Sequence, residues 1–334
     1  MKVFIKKTVI FALIFALLAV TVCVCIDPYN VFHPLSYREN GVEPNKNFLK
    51  MTYILHNGSK FDTFIFGSSR VGYIDTGKIE NARAYNMTYS MGVPAEHADN
   101  IRTMIRNGII PKMIIMEVDD ISYRMDAKSH IDEQPRCPYE YLVRHPLKFA
   151  ELYCCPAVAL ESLEIIQYSS RNEDEERNMY ASGSTIRRND NSEYVFPETV
   201  DMSGSSYMDN CIDAISECVE LCRDNGIDLK VFVTPLYMAT YRGALERGDF
   251  FTFLTRLSEV TPFYNFRGFN YITVISENYE DVSHYKAEIG DMIIDCIING
   301  KTDEKLLSQG FGFYTDRANI SQLLKILTDV EFTS

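Results

Sequence analysis

Two hydroxyl side chains follow an apolar run and a glycine in Phe64-Ile65-Phe66-Gly67-Ser68-Ser69-Arg70, and far along the chain an aspartate and a histidine stand three residues apart in Glu280-Asp281-Val282-Ser283-His284-Tyr285. A serine hydroxyl is a weak nucleophile until an imidazole takes its proton, and the imidazole works best when a carboxylate fixes its tautomer and stabilises the imidazolium. These residue types therefore suit acyl transfer through a covalent serine intermediate. Ser69 is the expected nucleophile, with Ser68 as the alternative, His284 as the base and Asp281 as its orienting carboxylate. The plainer reading is that the serine caps a helix after the strand and that Asp281 caps the helix starting near His284. Arg70 suits either an anionic donor or acceptor, or an ion pair with an acidic neighbour.

For these groups to meet, both turns must lie at one edge of a sheet. Residues 63–66 are apolar and β-prone and stop at Gly67, which predicts a strand ending in a polar turn. Further strands are expected over 83–87, 112–118, 228–235 and 269–274. Helices over 47–56, 95–107, 138–143, 147–168, 207–224, 244–260 and 286–298 alternate with them. This rhythm, with a nearly continuous apolar run at 112–118, gives an α/β class: a three-layer α/β/α arrangement on a mainly parallel five-stranded sheet. Ligands of such sheets bind outside the carboxyl ends of the strands, where the serine turn and the Asp281/His284 turn would both stand. Between about 121 and 204 the alternation pauses for a helical and loop insertion. Its charged run at 171–178 reads as a solvated helix end or loop, and its polar stretch at 181–205 as a lid or an ordinary loop. The leucine-bearing segment 303–334 is expected to pack on the domain.

Three lysines precede the 19 uncharged residues 8–26, which as a helix would span about 28 Å and cross a bilayer once. The lysines should stay inside, making 1–7 a cytoplasmic tail, 8–26 a transmembrane anchor, 27–60 a connector whose start, 27–34 with its two prolines, is extended, and 61–334 an extracytoplasmic domain. No small-x-small cleavage site follows the apolar run, which argues against a removed signal peptide. The net charge is −13, and without Lys2, Lys6 and Lys7 the chain has 30 basic against 46 acidic side chains, a balance that repels nucleic acid. Of nine cysteines, two lie in the anchor and seven outside, an odd number with no zinc spacing; Cys211, Cys218 and Cys222 fall at helical intervals among apolar residues and are expected to be buried. No metal or other cofactor is implied.

At these residues the chain resembles the SGNH (GDSL-like) hydrolase superfamily, whose fold is flavodoxin-like. Gly67-Ser68-Ser69 is similar to its Gly-Asp-Ser block, with Ser69 at the nucleophile, and Asp281 and His284 match its terminal Asp-x-x-His block. Asn86 through Gly92 resembles the second block, one residue longer, which implies an oxyanion hole built from the N–H groups of Ser69 and Gly92. The third block, Gly-x-Asn-Asp, reads Glu117-Val118-Asp119-Asp120 here; an ionised aspartate cannot donate, so the Asn86 amide is the substitute donor. The anchor, the Asp-Pro-aromatic connector, the Gly-Ser-Ser turn, the insertion and the Asp-x-x-His-Tyr ending resemble a membrane-anchored branch containing teichoic-acid D-alanine transfer and alginate O-acetylation proteins. The resemblance implies an acyltransferase whose partners are a cell-envelope polymer, an acyl donor and a membrane acyltransferase. It also admits an esterase with the same triad, or an inactive glycan-binding or scaffold protein.

Overall fold

A single long helix, α1 (Lys2–Ile26), opens the chain in the computed structural model, which describes residues 1–127, 131–166, 172–185 and 194–329. It is long and apolar enough to cross a membrane, and most of it is exposed. Asp27 ends it in the left-handed conformation (φ 51°), and the Asp27 carboxylate accepts the N–H groups of Val31, Phe32 and His33 at 2.8, 2.9 and 2.7 Å. These bonds wind the start of the connector into turns. It is therefore not extended, as its two prolines suggested.

The sheet has six strands, one more than expected: β1 (Thr63–Phe66), β2 (Ala84–Asn86), β3 (Met113–Val118), β4 (Asp228–Val233), β5 (Phe263–Asn265) and β6 (Phe313–Thr315), in the order β2-β1-β3-β4-β5-β6. All neighbours are parallel except β5 and β6. Successive side chains of a strand point to opposite faces. Phe64, Phe66, Ile114, Met116, Val118, Val231 and Val233 accordingly enter one apolar core, and Ile65, Ile115 and Phe232 the other. Both faces are thus covered, as the continuous apolar strands require.

The remaining helices are α2 (Lys46–Asn57), α3 (Pro94–Arg106), α4 (Asp120–Arg124), α5 (Tyr139–Arg144), α6 (Pro146–Tyr153), α7 (Pro156–Ile165), α8 (Glu173–Ala181), α9 (Met208–Asp224), α10 (Met238–Arg247), α11 (Phe250–Val260), α12 (Ala287–Asn299), α13 (Glu304–Ser308) and α14 (Ile320–Asp329). Helices α2, α3, α9, α11 and α14 contribute to the first core and α12 to the second. Cys211, Cys218 and Cys222 are buried on α9. The helix expected over 147–168 is divided at Cys154-Cys155-Pro156, because proline cannot continue a helix but can start one; residues 167 and 168 lie outside the described residues. The one expected over 244–260 is two, divided at Gly248 (φ 86°). The charged run at 171–178 is largely helix α8, Arg171 lying outside the described residues.

The expected fifth strand at 269–274 is a set of turns. Asn270 Oδ1 accepts the N–H groups of Ile272 and Thr273, both at 3.0 Å, and Thr273 Oγ1 donates to the Gly268 carbonyl at 2.5 Å. Side chains that satisfy the backbone locally compete with a sheet ladder, and here they prevail. The strand forms instead at Phe263-Tyr264-Asn265, extended by antiparallel β6.

Candidate active site

β1 and β3 are neighbours, and the chain passes to β2 on the outer side before returning to β3. The crevice at their carboxyl ends is therefore a topological switch point. Gly67 follows β1 there. A β-carbon on it would lie 2.7 Å from Glu117 Oε2 and 2.8 Å from both Glu117 Cβ and Val71 Cγ2, so only glycine fits. Ser68 is fully buried: its N–H donates to Glu117 Oε2 at 2.9 Å, its carbonyl accepts from Thr88 Oγ1 at 2.6 Å, and its hydroxyl caps the short 3₁₀ turn Ser69–Tyr73 by accepting the Arg70 N–H at 3.4 Å. The capping role expected of the serine turn belongs to Ser68, and its burial removes it as the alternative nucleophile. The next side chain, Ser69, points out of the turn.

Ser69 Oγ lies 2.9 Å from His284 Nε2, and His284 Nδ1 lies 2.9 and 3.0 Å from the two oxygens of Asp281. Partial burial pushes the Asp281 carboxyl up, but hydrogen bonds from the His284 ring, its charge, and the backbone N–H groups of Ser283 and His284 outweigh this and hold it at about 2. An ionised carboxylate only accepts. Nδ1 must therefore carry the hydrogen, leaving Nε2 as the acceptor for the Ser69 hydroxyl. Asp281 thus closes its own turn and orients the ring together, and α12 starts later, at Ala287. With the His284 and Asp281 side chains 19% and 24% exposed, the pair is sheltered but can be reached by a reactant.

No family model, curated protein or solved structure matches the chain.

Of the groups expected to hold an oxyanion, the side chain is engaged elsewhere and the backbone ones are not. The Ser69 and Gly92 N–H groups have no acceptor among the described residues. Gly92 lies against the serine turn, since a β-carbon there would stand 2.8 Å from the Gly67 carbonyl oxygen and 2.9 Å from His97 Cε1. Asn86 is fully buried; its Nδ2 donates to the Val71 carbonyl at 2.7 Å and its Oδ1 accepts the Thr88 N–H at 3.0 Å. Those bonds tie β2 to the serine turn and take the amide away from the substitute role that the sequence suggested for it.

Arg70 is likewise a structural group. It is buried, ion-paired with Asp119, 3.6 Å from Asp120, and within 3.4 Å of Ser283 Oγ. Asp120 in turn pairs with the fully buried Arg267 at 3.0 Å. This cluster links the ends of β1 and β3 to the turn carrying His284, and breaking one member would strand a buried charge. Burial, then the neighbouring Asp119 charge, drives the Glu117 carboxyl well above the usual range. Protonated or not, Glu117 can accept from the Ser68 N–H, so raising its carboxyl does not release the serine turn.

Four supporting side chains were not evident from the sequence. The Tyr73 ring meets His284 edge-on at 6.3 Å; Glu117 and Thr88 clamp the Ser68 backbone. Lys50, buried on α2, donates to the carbonyls of Asn86, Thr88 and Gly183 at 3.0, 2.6 and 2.6 Å, binding α2 and the insertion to the loop after β2. Tyr73 also lines a polar cavity of about 470 Å³ with Asp75, Ser182, Ser184, Glu280 and Lys286. The start of the polar stretch, 182–185, therefore packs beside the site: Thr185 N–H donates to the Gly72 carbonyl at 2.8 Å and Ser184 Oγ to that of Ile74 at 2.8 Å. Residues 186–193 of that stretch lie outside the described residues.

Proposed function

We propose that this chain is a membrane-anchored, SGNH-like serine acyltransferase acting outside the cytoplasm on a cell-envelope polymer. The observation that supports it is the unbroken chain Ser69–His284–Asp281, with contacts of 2.9 Å, at the carboxyl edge of a parallel sheet. In this reading His284 Nε2 takes the Ser69 proton as Oγ attacks the carbonyl carbon of an activated acyl donor. The tetrahedral oxyanion is held by the Ser69 and Gly92 N–H groups. Its collapse breaks the bond to the leaving group, which takes the proton from the imidazolium and leaves an acyl ester on Ser69. A polymer hydroxyl, deprotonated by His284, then attacks that ester and restores Ser69. If water replaces the polymer, the same residues make an esterase. A membrane acyltransferase supplying the donor is the expected partner.

One observation favours a second reading, an inactive glycan-binding or scaffold domain: Asp119 stands where the resemblance requires an asparagine, and the Asn86 amide is already engaged. The two separate on incubation with p-nitrophenyl acetate and acid quenching. Acyl transfer predicts one added acetyl group, mapped to Ser69, absent from Ser69→Ala, and discharged faster when envelope polymer is added. Polymer binding without acetylation of Ser69 would favour the scaffold.

A further inference from the structure

Helix α7 carries an apolar surface that the site does not use. It packs on the outer end of α1, where Cys23 is fully buried and places Sγ 4.0 Å from the Cys155 carbonyl. The α1 residues that lose exposure there are Ala19, Val22, Cys23, Val24 and Ile26; all but Val24 recur at i, i+3, i+4 and i+7 and form one stripe. That stripe runs about 10 Å along the helix, back from the outer end of the apolar segment. Val158 and Ser162 of α7 are buried, whereas Leu160 and Leu163, and Ile166 just beyond it, are 64%, 50% and 62% exposed. Three large aliphatic side chains are thus held in the open next to a segment that is itself apolar and exposed.

From this geometry we infer that α7 is a second membrane-contacting element, lying in the outer leaflet beside the anchor with Leu160, Leu163 and Ile166 among the acyl chains. The inference rests on α1 being a membrane anchor. The occupant follows from continuity: if α1 spans the bilayer, the part of it covered by α7 lies within the outer leaflet, so lipid is what meets Leu160, Leu163 and Ile166. A depth of about 10 Å matches that of helices lying in the interface. Because α7 and the turns after Asp27 are both fixed to the end of α1, two contacts rather than one would set the domain's orientation on the membrane.

The chain contains no tryptophan, so one introduced residue reports its own surroundings. Full-length Leu160→Trp and Leu163→Trp variants are reconstituted in phosphatidylcholine vesicles with or without brominated acyl chains, beside Leu17→Trp in mid-anchor and Tyr314→Trp on the exposed edge strand. The inference predicts blue-shifted emission at 160 and 163, quenched by the brominated lipid as strongly as at 17, with 314 unaffected. Positions 160 and 163 emitting and quenching like 314 while 17 is quenched would overturn it and leave the anchor intact. Blue-shifted but unquenched emission at 160 and 163 would also overturn it, in favour of burial against a second copy of the chain. An unquenched position 17 would instead refute the anchor, and the inference with it.

Discussion

Ser68 and Ser69 are neighbours with opposite fates, one turned into the protein as a cap and the other out towards His284. Ser68→Ala should therefore retain acetylation of Ser69 while losing a cap worth about 0.5–2 kcal/mol, read as a lower thermal midpoint. Glu117 offers a test of the buried acid beneath them. Its carboxyl is raised on folding, so the folded state holds a proton that the unfolded chain releases, and stability falls as pH rises above the unfolded value of about 4.5. Glu117→Gln keeps the acceptor for the Ser68 N–H without the proton; it should fold and lose that decline between pH 5 and 8. Glu117→Ala should destabilise by about 2–4 kcal/mol, the range for a buried truncation that also orphans a hydrogen bond. A denaturation series on the two variants across pH checks both outcomes. At this scale the three residues that meet were legible in the sequence, because a hydroxyl after a β-prone run and an Asp-x-x-His turn are both local patterns. The assignments to Arg70 and Asn86 were not secure, because Asp119 and Val71, which engage them, come close only on folding.

The turn 281–284 is the element on which the site depends. Asp281 accepts from two backbone N–H groups and from the imidazole, so one carboxylate shapes the turn and sets the ring. Its folded value of about 2 lies below the ordinary 3.8. The stabilisation is therefore complete above about pH 4 and is lost as pH falls through 2. Allowing for partial exposure it amounts to about 1–2 kcal/mol. Asp281→Asn should lose it at pH 6, approach wild-type stability near pH 2, and slow Ser69 acylation by about 10²–10⁴-fold as the imidazole loses its orienting carboxylate. Urea titrations at the two pH values and acylation rates check this. At the other turn, Gly67→Ala should cost about 1–3 kcal/mol by forcing a β-carbon into Glu117 and Val71. Strands β1 to β4 were readable because each ends or lies within an apolar run. β5 and β6, as short as β2, were passed over for the longer β-prone stretch at 269–274, which Asn270 and Thr273 take into turns.

Over the whole molecule, the apolar N-terminal helix and the α/β alternation were visible in composition and order alone. The antiparallel pairing of β6 with β5 and the packing of α7 on α1 depend on contacts between distant segments and left no local signal. In the proposed mechanism the two ends of the domain meet to make one reactive serine. The rate at which a fluorophosphonate probe labels the full-length protein at neutral pH, with the modified peptide mapped, tests it most directly. Labelling of wild type at Ser69, slowed at least about 100-fold in His284→Gln, is the predicted result. A wild-type protein that is not labelled at Ser69, or a His284→Gln variant labelled as fast as wild type, would contradict it.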